Sequence, residues 1–250
     1  MNNIDNKIKF FSVCVDNFFS NPNLIRDWAL KLPYSSDNDG RWPGKRTESL
    51  HKLNKDFANI LILKIFSTYY NLNVEKINWK DSFLYFQLIK KFSDDQNSLK
   101  NIGWIHQDVS CGLAGIIYLT PNINLESGTS LFSIKENVEI ESIDKLQLQK
   151  RLLYKNYDID ETEYNKCLLN NNNNFQEKTN FKNIYNRMIC YDAKEFHRAN
   201  NFFDKNFDRL TLVFFINDIE VSTFYPNDRL KNHNFDLSLE TLVKNYKFNN

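Results

Sequence analysis

The stretch 103–121 constrains the chain more than any other. It carries Gly103, His106, Gln107 and Asp108, then an uninterrupted small and apolar run from Leu113 to Leu119, closed by Thr120 and Pro121. The second half reads as a strand over 113–119, and the first half as a neighbouring strand over 105–109. Residues two apart on a strand point to one side. His106 and Asp108 then aim at a single point. An imidazole and a carboxylate so placed are two thirds of the facial set of two histidines and one carboxylate that holds non-haem Fe(II) with open positions.

A second imidazole is available at His197, after the strand-like run 187–191. Twelve residues further, Arg209 opens a markedly apolar strand over 209–216. A charge at the head of such a strand needs a partner, because an unpaired buried charge is costly. Asp204, Asp208 and Asp218 are nearby candidates in sequence. A bound carboxylate is the other candidate, through a bidentate contact. Thr211 shares the Arg209 face and can donate its hydroxyl to the same anion.

His-x-Asp, a distant His and then Arg-x-Thr resembles the Fe(II)/2-oxoglutarate-dependent oxygenase superfamily. Leu113 to Pro121 followed by Gly128, Thr129, Ser130, Leu131 and Phe132 is similar to its prolyl-4-hydroxylase-like branch, with Thr120 where that branch has Asn and Thr129 where it has a second Gly. Asp16-Asn-Phe-Phe and the Trp42-Pro-Gly-Lys-Arg loop also look like uncharacterised phage and marine-bacterial members. The resemblance implies Fe(II) held by His106, Asp108 and His197, which falls in the interval where the distal histidine belongs. It implies 2-oxoglutarate anchored by Arg209, Thr211 and Tyr118, with ascorbate as a reductant. The reaction implied is hydroxylation of an unactivated C–H bond by O2, on a small-molecule or peptidyl substrate, with release of succinate and CO2. A halogenase would have Ala or Gly at position 108, and Asp108 argues for hydroxylation.

Length and composition set the remaining bounds. The 250 residues suit one domain with a full core. Lys and Arg total 32 against 31 for Asp and Glu, so no charge excess points to nucleic acid. Aromatic residues at 15% suit a β-rich core. Cys14, Cys111, Cys167 and Cys190 are too dispersed for a zinc ribbon or a disulfide framework. Neither a signal peptide nor a membrane span is read, so the expected setting is cytoplasmic, in host cytoplasm if phage-encoded.

The expected organisation is mainly β with flanking helices, about eight strands forming the double-stranded β-helix (a jelly-roll or cupin-like core) that the resemblance implies. An N-terminal strand over 9–15 and two helices, one from Asn21 to about Pro33 with a stripe of Leu24, Trp28 and Leu32, the other over 56–70, occupy residues 1–80. The core is 81–217, with an insertion over about 135–182 flanking the site mouth, and a tail over 218–250 ends in a helix near 237–246. Helix is expected over 139–156, and the asparagine run 170–174 reads as a mobile loop. Loop 35–46 reads equally as a substrate loop or a surface turn. His51 and His233 sit in polar surroundings and read as surface residues. Two rivals stand beside the oxygenase: a non-catalytic β-helix module, and a cupin-like metalloenzyme that does not use 2-oxoglutarate.

Overall fold

Asn21 starts the first helix in the computed structural model, which describes residues 7–108, 111–155, 159–232 and 235–244. After strand β1 (Val13–Val15), the Asn21 Oδ1 accepts the Leu24 amide and Pro22 takes a position where no amide partner is needed, so α1 spans Pro22–Leu30. The face of α1 turned to the core is Ile25, Trp28, Ala29 and, just past its end, Leu32. Leu24 is 64% exposed, which corrects the expected stripe. At about 100° per residue, Leu24 falls on the flank of the face that Ile25 and Ala29 define.

Two short strands, β2 (Ser35–Ser36) and β3 (Lys45–Arg46), bracket the loop 37–44. Helices α2 (Leu50–Leu53) and α3 (Lys55–Phe66) follow, the latter capped by Asn54 on the Phe57 amide. Strands β4 (Ile77–Asn78) and β5 (Asp81–Ile89) lead into the core. The core continues through β6 (Leu113–Tyr118), β7 (Thr129–Ile134), α4 (Ile143–Lys155), α5 (Glu161–Asn172), β8 (Phe175–Phe181), β9 (Met188–Asp192), β10 (Phe196–Ala199) and β11 (Arg209–Asn217). Strand β12 (Glu220–Val221) pairs with β4, and α6 (Pro226–Asn232) and α7 (Phe235–Lys244) form the tail. His233 and residues 245–246 of the expected tail helix lie outside the described residues.

The large antiparallel sheet runs β1-β9-β6-β11-β5-β3-β2, and the small one β10-β7-β8. The segment around His106 joins the free edge of β10: the His106 and His197 amides each donate to the other's carbonyl, at 3.0 and 2.9 Å. In chain order, β5, the His106 segment, β6, β7, β8, β9, β10 and β11 divide so that the first, third, sixth and eighth lie in the large sheet. The second, fourth, fifth and seventh form the small one. This interleaving of two antiparallel sheets is a double-stranded β-helix of jelly-roll type. Helices α1 and α3 cover the outer face of the large sheet, where Leu84, Phe86, Ile117, Leu212 and Phe214 meet Ile62, Ile65 and Phe66. Side chains of opposite parity on the same strands, such as Gln87, Ile116, Tyr191, Arg209 and Val213, face inward.

Three expectations change in the core. The strand expected over 105–109 is a single bridge at His106, with Val109 outside the described residues. Among the described residues its other edge has no strand neighbour, and α5 supplies the partners instead. Asn172 Oδ1 accepts the Ile105 amide, Asn172 Nδ2 donates to the Gly103 carbonyl, and Asn171 Nδ2 donates to the Ile105 carbonyl, all at 3.0 Å. A carboxamide offers the same donor and acceptor as a peptide group, so these side chains finish an edge as a strand would. The asparagine run is therefore largely helical and bonded rather than a mobile loop. The insertion is also shorter than expected, 135–174, because 175–181 is β8, a barrel strand. Its middle residues are exposed, so no apolar alternation marks it.

Candidate metal centre

Two features pin the backbone that carries the first histidine. Gly103 lies so close to β10 that a Cβ there would come within 2.3 Å of the Ala199 carbonyl oxygen. On the far side, Trp104 is buried against Leu153 of α4 and Tyr164 and Leu168 of α5. His106 and His197, cross-strand neighbours in this bridge, bring their ring centroids to 4.5 Å. Asp108 is held by its own amide, which donates to the Ala193 carbonyl at 3.0 Å. Its carboxylate lies 3.3 Å from His197 Nε2 and 3.9 Å from His106 Nε2. One ligand atom from each of the three residues lies within 4.8 Å of the others.

The ring orientations suit metal ligation. His106 Nδ1 bonds the Trp104 carbonyl at 2.8 Å and His197 Nδ1 the Glu195 carbonyl at 2.9 Å. A carbonyl only accepts, so both Nδ1 atoms carry a proton and both Nε2 edges turn toward Asp108. Two Nε2 edges and a carboxylate thus converge on one point, where a cation would complete them. Burial, with the nearby charges of Lys150 and His197, pulls the His106 imidazole well below its usual range. Burial alone would push the Asp108 carboxyl up, but His197, His106 and Lys150 together outweigh it and hold the carboxyl well below the carboxylate range. The centre therefore presents a neutral His106 imidazole, the Asp108 carboxylate and the Nε2 edge of His197, side-chain types that hold a divalent metal with open positions.

Arg209 lies on the wall of the same cavity and is 2% exposed. Its Nε donates to the Ser127 carbonyl at 2.9 Å, and its Nη2 is buried with no hydrogen-bond partner among the described residues. None of the three neighbouring aspartates reaches it: Asp208 faces Lys90, Asp218 faces Lys80, and Asp204 accepts the Asn124 amide. Tyr118 places its ring 5.5 Å from the Arg209 guanidinium, but its hydroxyl bonds Thr129 at 2.9 Å, and it lies behind the cavity wall. Thr211 shares the Arg209 face, is fully buried, and turns its hydroxyl toward the Gln87 carbonyl at 3.5 Å, also behind the wall. The cavity thus brings together His106, Asp108, His197 and Arg209, and leaves Tyr118 and Thr211 one layer back.

The cavity is about 560 Å³. Loop 37–44 and α4 meet across its mouth, where Gly40 (φ 68°) fits against the Arg151 backbone with no room for a Cβ. Arg41, Trp42, Pro43 and Arg46 line the cavity from one side, and Gln147, Lys150 and Tyr154 from the other. The loop is thus part of the site, not a remote surface turn. Lys150 was not among the expected site residues. Its signal is a break in a pattern: Leu146, Lys150 and Leu153 form one buried helical stripe, and the lysine stands where an apolar residue belongs. Burial pulls its ammonium down to about 8, against the attraction of Asp108.

Comparison with solved structures returned similar folds. One is a prolyl hydroxylase from Trichoplax adhaerens in complex with a hypoxia inducible factor oxygen degradation domain peptide fragment (12% identity, 89% of this chain and 87% of that one, TM-score 0.45). Another is HygX from Streptomyces hygroscopicus with nickel and 2-oxoglutarate bound (9% identity, 84% of each chain, TM-score 0.49). A third is a prolyl-4-hydroxylase from Pseudomonas putida (9% identity, 83% and 92%, TM-score 0.40). Likeness at that level assigns neither substrate nor reaction. Comparison with curated proteins gave no match. One family model matches residues 9–215, a span that takes in β1, α4 with Lys150, the three converging ligands and Arg209 at the head of β11. The chain belongs to that family, a family of unknown function (DUF6445).

Proposed function

We propose that this chain is an Fe(II)- and 2-oxoglutarate-dependent oxygenase that hydroxylates an unactivated C–H bond. One observation carries the reading: a buried guanidinium with an unpartnered Nη2 lines the same cavity as two histidines and a carboxylate whose ligand atoms converge. A metal alone would need no such arginine. A dicarboxylate that reaches from metal to arginine uses both.

His106, Asp108 and His197 would hold iron, and the Trp104 and Glu195 carbonyls keep both imidazoles in the tautomer that ligates. Arg209 would pair with the far carboxylate of 2-oxoglutarate. Its own burial makes that pairing strong, since a charge-assisted bond gains where water is scarce. Tyr118 and Thr211 support this anchor from behind the wall, Tyr118 by setting its ring beside the guanidinium. Bound iron and 2-oxoglutarate supply the chemistry, oxidative decarboxylation to succinate and CO2 coupled to insertion of oxygen from O2. Loop 37–44 and α4 restrict the mouth and keep bulk water from the reacting atoms. Four free cysteines, two of them exposed, fit a reducing cytoplasmic setting.

The test is anaerobic addition of 2-oxoglutarate to the Fe(II)-loaded protein, read by the weak visible charge-transfer band. Succinate release in air with ascorbate follows. A band that appears in the wild type and is lost in Asp108→Ala supports the reading. Iron binding with no band at any 2-oxoglutarate concentration sinks it.

A further inference from the structure

Arg209 accounts for one anion, and two more cations, Arg46 and Lys150, face the cavity without an ion pair of their own once the Asp108 carboxylate that attracts both is given to the metal. Arg46 leaves β3 and lies over the Trp42 ring, 4.3 Å from its centroid, with the Tyr85 and Phe215 rings each at 5.5 Å. Among the described residues its Nη2 reaches only the neutral Gln87 carboxamide at 3.3 Å, and its Nε is buried without a hydrogen-bond partner. Lys150 is 7% exposed and forms no ion pair or hydrogen bond among the described residues. By contrast, Arg41 at the mouth is paired with Asp37. The remaining charged wall residues, Asp144 and Arg151, are both exposed at the rim and cancel in the count.

The formal charges make the surplus explicit, and the argument rests on the oxygenase reading above. A metal dication, the Asp108 carboxylate, a 2-oxoglutarate dianion and Arg209 sum to zero. Arg46 and Lys150 are left over, two positive charges that repel each other in a confined space. Keeping both there is unfavourable unless an anion joins them. The rings of Trp42, Phe202 and Phe215 and the Ile89 side chain supply apolar wall beside these cations. The volume is that of a small-molecule site.

We propose that the substrate is a small molecule with an anionic head group, a carboxylate or a phosphate, seated on Arg46 and Lys150, with an apolar body against the aromatic wall. The backbone of an internal peptide residue brings no such charge, whereas a free acid of this size carries it on its own head group. Arg46, held flat by its ring neighbours, offers a rigid fork for two oxygens; Lys150 adds a point charge from the helix that closes the mouth.

Benzoate and phenyl phosphate serve as probes, with benzyl alcohol as the uncharged control. Each is titrated into anaerobic protein loaded with Fe(II) and 2-oxoglutarate, and heat and the visible band are followed. We expect saturable binding of at least one anion, no comparable binding of benzyl alcohol, and affinity reduced about tenfold or more in Arg46→Gln and in Lys150→Gln. Whichever anion binds more tightly distinguishes carboxylate from phosphate. Benzyl alcohol binding as tightly as benzoate overturns the proposal, as do glutamine variants with wild-type anion affinity. If the glutamine variants do not fold, Arg46→Lys and Lys150→Arg keep the charge, and the wild-type contrast between benzoate and the alcohol still decides. The two readings fail separately. A band without anion discrimination removes the head-group site alone. Anion binding that depends on Arg46 and Lys150, without a band, removes the cofactor reading alone.

Discussion

Replacing Lys150 with methionine is expected to stabilise the metal-free protein. Burial brings the Lys150 ammonium from 10.5 to about 8. At about 1.4 kcal/mol per unit, keeping this side chain charged in the folded state costs roughly 3 kcal/mol. That figure already contains the attraction of Asp108 and the repulsion of Arg46 and Arg151. Methionine keeps most of the length and the apolar stem, so little cavity is left behind. The pH dependence fixes the sign. The unfolded lysine keeps its proton to higher pH than the folded one, so the unfolded state binds more protons between about 8 and 10.5, and the wild type gains stability as pH rises through that window. The cost is therefore fully present below about pH 8 and fades by about 10.5. Urea melts of both proteins at about pH 7 and about pH 9.5 measure it. The variant should be more stable by about 3 kcal/mol at the lower pH, equivalent to roughly 6–12 °C in Tm for a domain of this size. The gap should shrink by more than half at the higher pH. Equal stability at neutral pH, or a gain that does not change with pH, would refute the claim that the ammonium is buried unpaired.

Other substitutions probe the rest of the site. Asp108→Ala should leave the circular dichroism spectrum intact and remove stoichiometric iron from dialysed protein; retained iron would take Asp108 out of the ligand set. Arg209→Ala should weaken 2-oxoglutarate binding by about 2–5 kcal/mol, read anaerobically, while iron content is unchanged. An equal loss of iron would mean that the arginine is structural. Asn172→Ala removes two hydrogen bonds from the Gly103–Ile105 edge. It should lower metal affinity by roughly 10–100-fold in a competition assay, because the strand bearing His106 loses its outer partner. Asn173→Ala, on an exposed neighbour whose side chain makes no bond to that edge, is the control, and a similar loss there would refute the positioning role.

What the sequence made legible follows from where each signal comes from. Strand β11 was readable to the residue because seven of its nine positions are apolar or have a strand neighbour on both sides, and its one charge stood out against them. That His106, Asp108 and His197 could converge was readable because a His-x-Asp spacing and a later strand-borne histidine involve few residue types. β8 was not, since an outer strand with five exposed positions in sequence has the composition of a loop. Nor was the direction of Tyr118 and Thr211: period two gives the face of a strand, but not which inward side chains reach the cavity and which stop at the layer behind. The asparagine run shows the limit most directly. By composition it is a loop, because asparagine competes with backbone for hydrogen bonds. In the fold that same competition is useful: an edge strand without a strand partner needs donors and acceptors, and Asn171 and Asn172 at the end of α5 present them to residues 103–105. The property that argues for disorder in isolation is the one that ties the insertion to the segment bearing His106, and only the neighbour across the gap reveals which applies. Lys150 follows the same logic. A lysine in an apolar stripe is unfavourable for folding, and its cost is intelligible once the helix is seen to close over a cavity where an anion would answer it.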